Sequence, residues 1–473
     1  MIRTKVPILF CLLTLTLSGC ALRRYHAAPI SPIATASRLK SRNLADPGLQ
    51  HFLEKNLGHE LSPWPPKTWD LSTLTLAGLY FSPVMEMARD QVLAAKAAVV
   101  TAGERPNPTI RATPGIPSPY LFALTFTVPI ETAGKRGYRI ENASRLTDAA
   151  RLNLGTAAWQ VRSQVRAALL AHMLARRNLR LLRSQETLLA KQRRLLKERL
   201  AVGEIPRPEV DSATIALSNA RLAIRTAEGA VSETRAAIAA AIGIPVSGLN
   251  GVQFSWPDLD QPPSIASLSV QRIERDAILN RLDVRRALAQ YAAAEASLQL
   301  EIAKQYPDIQ LGPGYDFEEG NNFFTFALSS VLPIFNHNQG PIAEAEAKRK
   351  EAAAAFLALQ AQVIAQSETA LASYRSALAQ LHEAEGSLTT VQIQREKMAS
   401  RSKTLGESGP LTLNGVRLQG AASAQAQLNA LARAQTALGS LEDAVESPLQ
   451  DGPFVPIYSP PAALPKREIQ RGT

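Results

Sequence analysis

The chain is one unit written twice, and this repeat limits the possible folds more than any other feature. Pro129-Ile130 recurs as Pro333-Ile334, 204 positions on, and Gly203-Glu204 recurs as Gly406-Glu407, 203 positions on. Internal repeats of this kind are read before any local feature, because missing them misassigns the whole fold. Between the marks both halves are rich in Ala, Leu, Arg, Glu and Gln, as long helices are. Before each Pro-Ile both halves alternate like a pair of strands. The unit therefore reads helix, strand, strand, long helix, sharp turn, helix.

The strands are recognised by period two. Phe122, Leu124, Phe126 and Val128 fall on one face, and Ala123, Thr125 and Thr127 on the other. In the second half Phe324, Phe326, Leu328 and Leu332 oppose Thr325, Ala327 and Ser329, and Ile309, Leu311, Tyr315 and Phe317 oppose Asp308, Gln310, Gly312 and Asp316. About ten residues of such alternation suit a transmembrane β-barrel strand. A half-buried soluble hairpin has the same alternation. Residues 109–113 form a weaker strand, with Pro114, Pro117 and Pro119 crowding the turn after it.

The helices carry heptads. Leu174, Leu181, Leu188, Leu195 and Val202 are spaced by seven, as are Leu217, Ile224, Val231 and Ile238, with Ala220, Ala227 and Ala241 on the same seam. Leu357, Ile364, Leu371 and Leu378 repeat the spacing, joined by Tyr374, Leu381 and Leu388. A sustained repeat of seven implies coiled-coil packing, in a duct or in a plain soluble coiled coil. Helix length separates the two. Ile130 to Gly203 would make one helix of roughly 110 Å at 1.5 Å per residue. After the turn a helix over about 208–243 and, past a Pro- and Gly-rich break, another over 271–305 add up to nearly the same length. Two stacked helices thus retrace one long helix and return the chain to its starting level. This geometry predicts a mainly α fold with a small β part, a tall wall of helices capped by strands.

The N-terminus predicts export. Arg3 and Lys5 precede an apolar run from Val6 to Leu17, too short to span a bilayer but suited to a signal peptide. Leu17-Ser18-Gly19-Cys20 resembles a lipobox, which makes Cys20 the expected lipidation site and mature N-terminus. Cys11 lies in the segment to be removed, so no disulfide is expected. The net charge of +11 would suggest nucleic acid in a cytoplasmic protein. In an exported chain the basic cluster from Arg176 to Arg199, interleaved with Leu, reads as a wetted helix face or a partner contact. The expected organisation is a signal peptide (1–19), a lipidated tether (20–70), a first repeat (71–243), a linker (244–270), a second repeat (271–446) and an irregular tail (447–473).

No catalytic constellation, phosphate-cradling loop or cofactor motif is present. The six histidines (His26, His51, His59, His172, His337 and His382) show no metal-ligand spacing,. His382, beside Glu383 and Glu385, reads as a solvated helix face.

In order and spacing, several short stretches resemble the outer-membrane efflux protein family, the TolC-like ducts of tripartite pumps, over roughly residues 75–446. They are Arg105-Pro106-Asn107-Pro108; Pro129-Ile130-Glu131-Thr132-Ala133-Gly134-Lys135-Arg136; Gly203-Glu204-Ile205 through Glu209-Val210-Asp211-Ser212-Ala213; Leu282-Asp283-Val284-Arg285-Arg286-Ala287; Tyr306-Pro307-Asp308; and Leu332-Pro333-Ile334-Phe335-Asn336. Glu301 to Asp308 and Asn336 to Ile342 look most like the outer-membrane partners of heavy-metal exporters. The resemblance implies a homotrimer in the outer membrane, with four strands per chain shared in one transmembrane β-barrel and a coiled-coil α-helical barrel in the periplasm. It implies passive conduction, metal cations being one expected cargo, with a periplasmic adaptor and an inner-membrane pump as partners. It implies no enzyme activity. Independently of the family, four strands alone cannot close a barrel, and an open edge in lipid leaves backbone groups unpaired.

In that family the two helical turns form the tip that meets the adaptor. The positions matching it are Gly203, Glu204, Glu209, Asp211, Gly406, Glu407 and Asn414. Some members narrow the entrance with aspartates on the second turn, whereas Leu413-Asn414-Gly415-Val416-Arg417 has no acid here. Glu209 and Asp211 could substitute, or could simply be acids favoured at a helix N-terminus, as Pro208 suits a helix start. A lipid-anchored periplasmic coiled-coil adaptor or scaffold is the alternative. It accounts for the heptads but not for two amphipathic strand pairs at matching points of a repeat.

Overall fold

A computed structural model describes residues 24–115, 121–268 and 270–449. The signal segment, Cys20 and the tail beyond 449 lie outside the described residues. The chain divides into two units, one ending at Arg42 and one beginning at Asn43. The first contains α1 (Pro32–Lys40), started by Pro32 and the Ser31 hydroxyl, with no buried residue.

The second unit holds everything else. α2 (Pro47–Leu57) is capped by Asp46, whose carboxylate accepts from the Leu49 amide. Leu44, Leu49, Leu53 and Trp69 are buried in the same core as α3 (Leu71–Phe81). The stretch expected to be a bare tether is therefore packed structure from Leu44 onward. The expected linker is packed too. Its β4 (Gln253–Phe254) pairs in parallel with β1 (Thr68–Trp69), and Leu249, Phe254, Trp256 and Leu259 join that core. Pro and Gly mark both segments as irregular, but their Leu, Phe and Trp side chains decide that they are buried.

The first repeat continues with α4 (Pro83–Ala102), β2 (Thr109–Pro114), β3 (Leu121–Ile130), α5 (Lys135–Ala201) and α6 (Arg207–Ile242). The second has α7 (Val270–Leu279), α8 (Leu282–Ala303), β5 (Ile309–Glu318), β6 (Asn321–Ser330), α9 (Gln339–Glu383), one wide helical turn at Ala384–Leu388, α10 (Thr389–Thr404) and α11 (Pro410–Val445). Two helices expected to be continuous are interrupted. The 271–305 helix breaks at Arg281, whose ψ of 132° is not helical. The Arg281 guanidinium bonds Asp283 at 2.7 and 3.0 Å and the Ala444 carbonyl at 3.0 Å, while Glu446 accepts from the Leu282 amide at 2.7 Å. The long second-half helix widens at 384–388, where the Thr389 hydroxyl donates to the Ala384 carbonyl. α5 begins at Lys135 rather than Ile130, because Ala133 and Gly134 take left-handed φ of 54° and 72°.

Each layer of this unit is four elements wide. The sheet order is β2-β3-β5-β6, all antiparallel. Beyond the strands, α5 packs between α4 and α8, and α8 packs on α9. Towards the helical turns the order is α6, α5, α11, α10. Three cores follow these layers: one around Val165 and Ile242, one around Tyr374 and Leu438, and a small one of Leu196, Val210 and Ala213 near the turns.

Candidate functional site

The sheet sorts its side chains by face. In register, Leu124 lies opposite Tyr315, and Tyr315 opposite Phe324; Val128 lies opposite Leu311, and Leu311 opposite Leu328. Most apolar residues of the four strands therefore share one side, Leu121 and Phe323 falling on the other. The shared side is uncovered: Ile110 is 71% exposed, Phe324 86%, Phe326 69% and Leu328 68%. Transferring so much apolar surface to water is unfavourable by roughly 25 cal/mol per Å², so it marks a face built for apolar surroundings. The opposite side carries Thr125, Gly312, Gly314, Thr325 and Ala327. A Cβ on Gly314 would meet the Thr325 hydroxyl at 2.5 Å, so this small-residue side is tight enough to be the inside of a curve. β2 and β6 each pair on one side only among the described strands.

The helical layers leave their edges open in the same way. α4 exposes Leu93 and Val100, and α9 exposes Leu357 and Ile364, two residues of a heptad seam. Nearer the turns α6 exposes Ile215 and Leu222, seven apart, and α10 exposes Val391 and Met398, with Leu405 just past its end continuing the spacing of seven. α10 buries no residue. The inward seams are satisfied: Leu217, Ile238, Leu371 and Leu378 are all buried. Coiled-coil stripes facing both ways on edge helices are what a wall looks like before its neighbours join it.

Sheet and helices meet at a bonded corner. Lys135 donates to the Tyr306 carbonyl at 2.6 Å and to Asp308 at 2.7 Å, and the Thr132 amide donates to the same Asp308 oxygen at 3.0 Å. Partial removal from water raises the Asp308 pKa, but the bonds from Lys135 and Thr132 outweigh that and hold it below the ordinary value,. Arg136 donates to the Gly103 carbonyl, and Arg139 pairs with Glu131. In the second half Asn338 donates to the Glu301 carbonyl at 2.7 Å and to its carboxylate at 3.0 Å. The Pro129–Arg136 and Tyr306–Asp308 motifs are thus the two sides of one hinge between strand and helix.

Midway, a buried charge cluster joins the two repeats. Glu442, 1% exposed, accepts from Arg162 at 3.0 Å and lies 3.3 Å from Arg166 Nε. Arg166 also donates to the Gln435 carbonyl, and Gln435 donates to the Leu259 carbonyl. Gly439 makes room, since a Cβ there would stand 2.3 Å from Arg166 Nη1. Sequence reasoning missed this cluster. The signal was two arginines four apart on a helix face that otherwise carries Val161, Val165 and Leu169.

The turns hold most of the positions assigned to the tip. Gly203 and Gly406 are exposed and take left-handed φ of 76° and 80°. Glu204 lies 3.4 Å from Arg199 and Asp211 3.9 Å from Arg207, both surface pairs; Glu209 is exposed, and Glu407 accepts from the Ser402 hydroxyl. Asn414 differs. It is 1% exposed and donates to the Leu188 carbonyl at 3.0 Å, so it ties the second hairpin to the first and is not on the outer surface. Among the described residues no group of three or more His, Cys, Asp or Glu could hold a metal ion. No described helix is long and apolar enough to cross a membrane. His172, whose spacing suggested no ligand role, is buried against Phe254 and bonds Thr234; burial, with Arg176 and Arg235 nearby, pulls its pKa down to about 4.

Residues 81–244 match the model of the family described as outer membrane efflux protein. A stretch of 233 residues, 49% of this chain, is 26% identical to the cobalt-zinc-cadmium resistance protein CzcC of Cupriavidus metallidurans and covers 54% of it, so the chain spans about half the length of that curated relative. The fold is similar to that of the outer membrane protein VceC of Vibrio cholerae (TM-score 0.64, 18% identity, 80% of this chain and 97% of that one). It is equally similar to CusC (TM-score 0.64, 18% identity, 90% and 99%). The open MtrE outer membrane channel of Neisseria gonorrhoeae gives a TM-score of 0.63 at 16% identity over 80% and 89% of the two chains. At these identities the three structures speak for the fold alone.

Proposed function

We propose that the chain is the outer-membrane duct of a tripartite efflux pump, a reading supported by the match of residues 81–244 to the outer membrane efflux protein family. One observation carries the reading: a four-stranded sheet with one largely apolar, uncovered face and two edges unpaired among the described strands, standing on a helical wall whose edges are also apolar. In lipid, every backbone donor and acceptor at a strand edge needs a partner. Sister copies supply it by pairing β6 of one protomer with β2 of the next, and the same rotation brings α10 beside α6 and α9 beside α4. Three copies, the number implied by the family, give a twelve-stranded barrel. Cys20, acylated, anchors the chain to the same membrane.

On this reading the protein performs no chemistry. It conducts passively, and the driving energy comes from an inner-membrane pump through a periplasmic adaptor that meets the exposed ends of the hairpins around Gly203 and Gly406. The similarity to a cobalt-zinc-cadmium resistance protein supports a place in a metal-resistance type of pump. A lipid-anchored adaptor or scaffold would leave the uncovered sheet face without a role. Replacing Cys20 with Ser behind a cleavable signal separates the two. The duct remains in the outer membrane, needs detergent for extraction and runs as a β-rich oligomer. Release as a soluble monomer would refute the proposal.

A further inference from the structure

The charge of this chain is concentrated at one end of its helices. Residues 172–242 carry 13 basic and seven acidic side chains, and residues 389–445 carry six basic and four acidic. These stretches, the two hairpins that end in the turns at Gly203 and Gly406, therefore hold +8 of the chain's net +11, and in the second hairpin both acids of the far end, Glu442 and Asp443, lie away from the turn. Few carboxylates answer that charge. Lys197, Arg395, Lys397, Arg401 and Lys403 are all exposed, and none has an ion-pair partner among the described residues. α11 has no acid in its first turn.

Helix ends do not account for this. The C-terminus of a helix favours cations, which explains Arg199, Arg401 and Lys403 in the last turns of α5 and α10. It does not explain Arg395, Lys397, Lys191 or Lys197, which lie further back. Each turn also brings a C-terminus beside an N-terminus, so the two helix dipoles nearly cancel there and the side chains set the field. At 0.01 M salt the Debye length is about 30 Å, well beyond the 10–12 Å diameter of a helix with its side chains, so a charge on either face of the hairpin is felt on the other; at 0.1 M it is about 10 Å, and only charges on the inner face act at full strength.

We propose that the helical end of this duct is an electropositive entrance that admits anionic cargo in preference to free divalent cations. The proposal rests on the duct reading above. It assigns the cargo by charge: a metal leaving by this route does so as an oxyanion or an anionic complex, and other anionic compounds are equally suited. In an oligomer the charges of the sister hairpins add, and focused potentials of several kT are ordinary in such concave sites.

The test reads the local potential and the current separately. In the full chain in detergent, Ser400→Cys places a thiol among Lys397, Arg401 and Lys403. Its modification rates are compared for two methanethiosulfonate reagents that form the same kind of mixed disulfide, one bearing a sulfonate and one a trimethylammonium. Relative to a free thiol in the same buffer, the anionic reagent is favoured about tenfold at low salt. The preference collapses when Arg395, Lys397, Arg401 and Lys403 are all changed to Gln. In planar bilayers under a KCl gradient, the same four changes shift the reversal potential towards cation selectivity. A thiol ratio equal to that of the free thiol, or a reversal potential unmoved by the four changes, overturns the proposal. A protein that forms no conducting oligomer while keeping the anion-favouring ratio overturns the duct reading instead, and the cargo assignment with it.

Discussion

The face of the sheet assigned to lipid can be tested by one pair of adjacent substitutions. β6 has ten residues, Asn321–Ser330. At about 3.4 Å per residue and a tilt near 40° it rises roughly 25 Å, the height of an apolar band, and Phe326 stands within one residue of its middle. Phe326 is 69% exposed on the apolar side, while Ala327 points to the small-residue side over Gly312. An Arg at mid-depth on the lipid side of a barrel costs about 2–4 kcal/mol. In the proposed trimer, three copies bring that to about 6–12 kcal/mol, enough to abolish insertion or to strip most of the heat resistance of the oligomer. The same Arg at position 327 extends into the water-filled interior and costs little. The assay is gel mobility of outer-membrane fractions, with and without heating, for Phe326→Arg and Ala327→Arg in parallel. Phe326→Arg is expected to be lost from the heat-resistant oligomer band and Ala327→Arg to be retained. If both assemble alike, or if Ala327→Arg is the damaging one, the assignment of faces is wrong, and the argument for a shared barrel falls with it.

Glu442→Gln removes the ion-pair partner of the buried Arg162 and Arg166, and breaking such a pair costs about 3–5 kcal/mol; it should lower the thermal midpoint followed by far-ultraviolet circular dichroism, whereas Asp211→Asn, at an exposed 3.9 Å contact, should leave it unchanged. The corner at Asp308 should fail in acid. Its carboxyl has a folded-state pKa below the ordinary 3.8, so its contribution is complete above that value and is lost as pH falls through the lower one. Heat resistance of the oligomer should therefore decline below about pH 4 by more in the wild type than in Asp308→Asn, and equal declines would assign the acid sensitivity elsewhere.

The large design was legible in the sequence because it depends on periodicity. Alternation placed Phe122 to Val128 and Phe324 to Leu328 on one face, and the heptads through Leu217 and Leu371 placed buried seams on helices of the right length. What escaped depends on contacts between residues far apart in the chain. Nothing near Arg281 announces a helix break, because its partners Asp283, Ala444 and Glu446 meet only after folding. The stretch after Cys20 reads as a tether and 244–270 as a Pro- and Gly-rich break, yet β1 and β4 pair across almost two hundred residues. Heptads also cannot say which partner a stripe will find. Leu357 and Ile364 continue the seam of Leu371 and Leu378, and only the structure separates the buried pair from the exposed one. Asn414 looked like a turn residue and is an internal tie.

The repeat shows where the two halves have stopped being interchangeable. Left-handed residues recur at matched points: Gly134 and Asn338, Gly203 and Gly406, Gly243 and Glu446. The turns at Gly203 and Gly406 keep glycine in open space, where only the backbone conformation requires it,. The other two positions have diverged. A Cβ on Gly243 would stand 3.2 Å from the Phe81 carbonyl, so the first half needs glycine there for close approach, and Pro83 begins the next helix without an amide to satisfy. In the second half the matching helix begins at Leu282, which does have an amide, and Glu446 accepts its hydrogen bond while holding a strained φ of 48°. Burial raises the Glu446 pKa, the Leu282 amide partly offsets that, and Asp283 nearby raises it further. Similarly Asn338 accepts the left-handed φ of Gly134 and uses its side chain to hold Glu301. In both cases a glycine in the first half has become a polar residue in the second, and strain has been exchanged for a bond to the helix before the sheet. At both points the second half uses the side chain of the left-handed residue itself, where the first half keeps glycine and ties its corner instead through Lys135 and Arg136. A barrel built from these protomers alternates the two kinds of corner around its circumference, so its symmetry is that of the number of chains and not of the number of repeats.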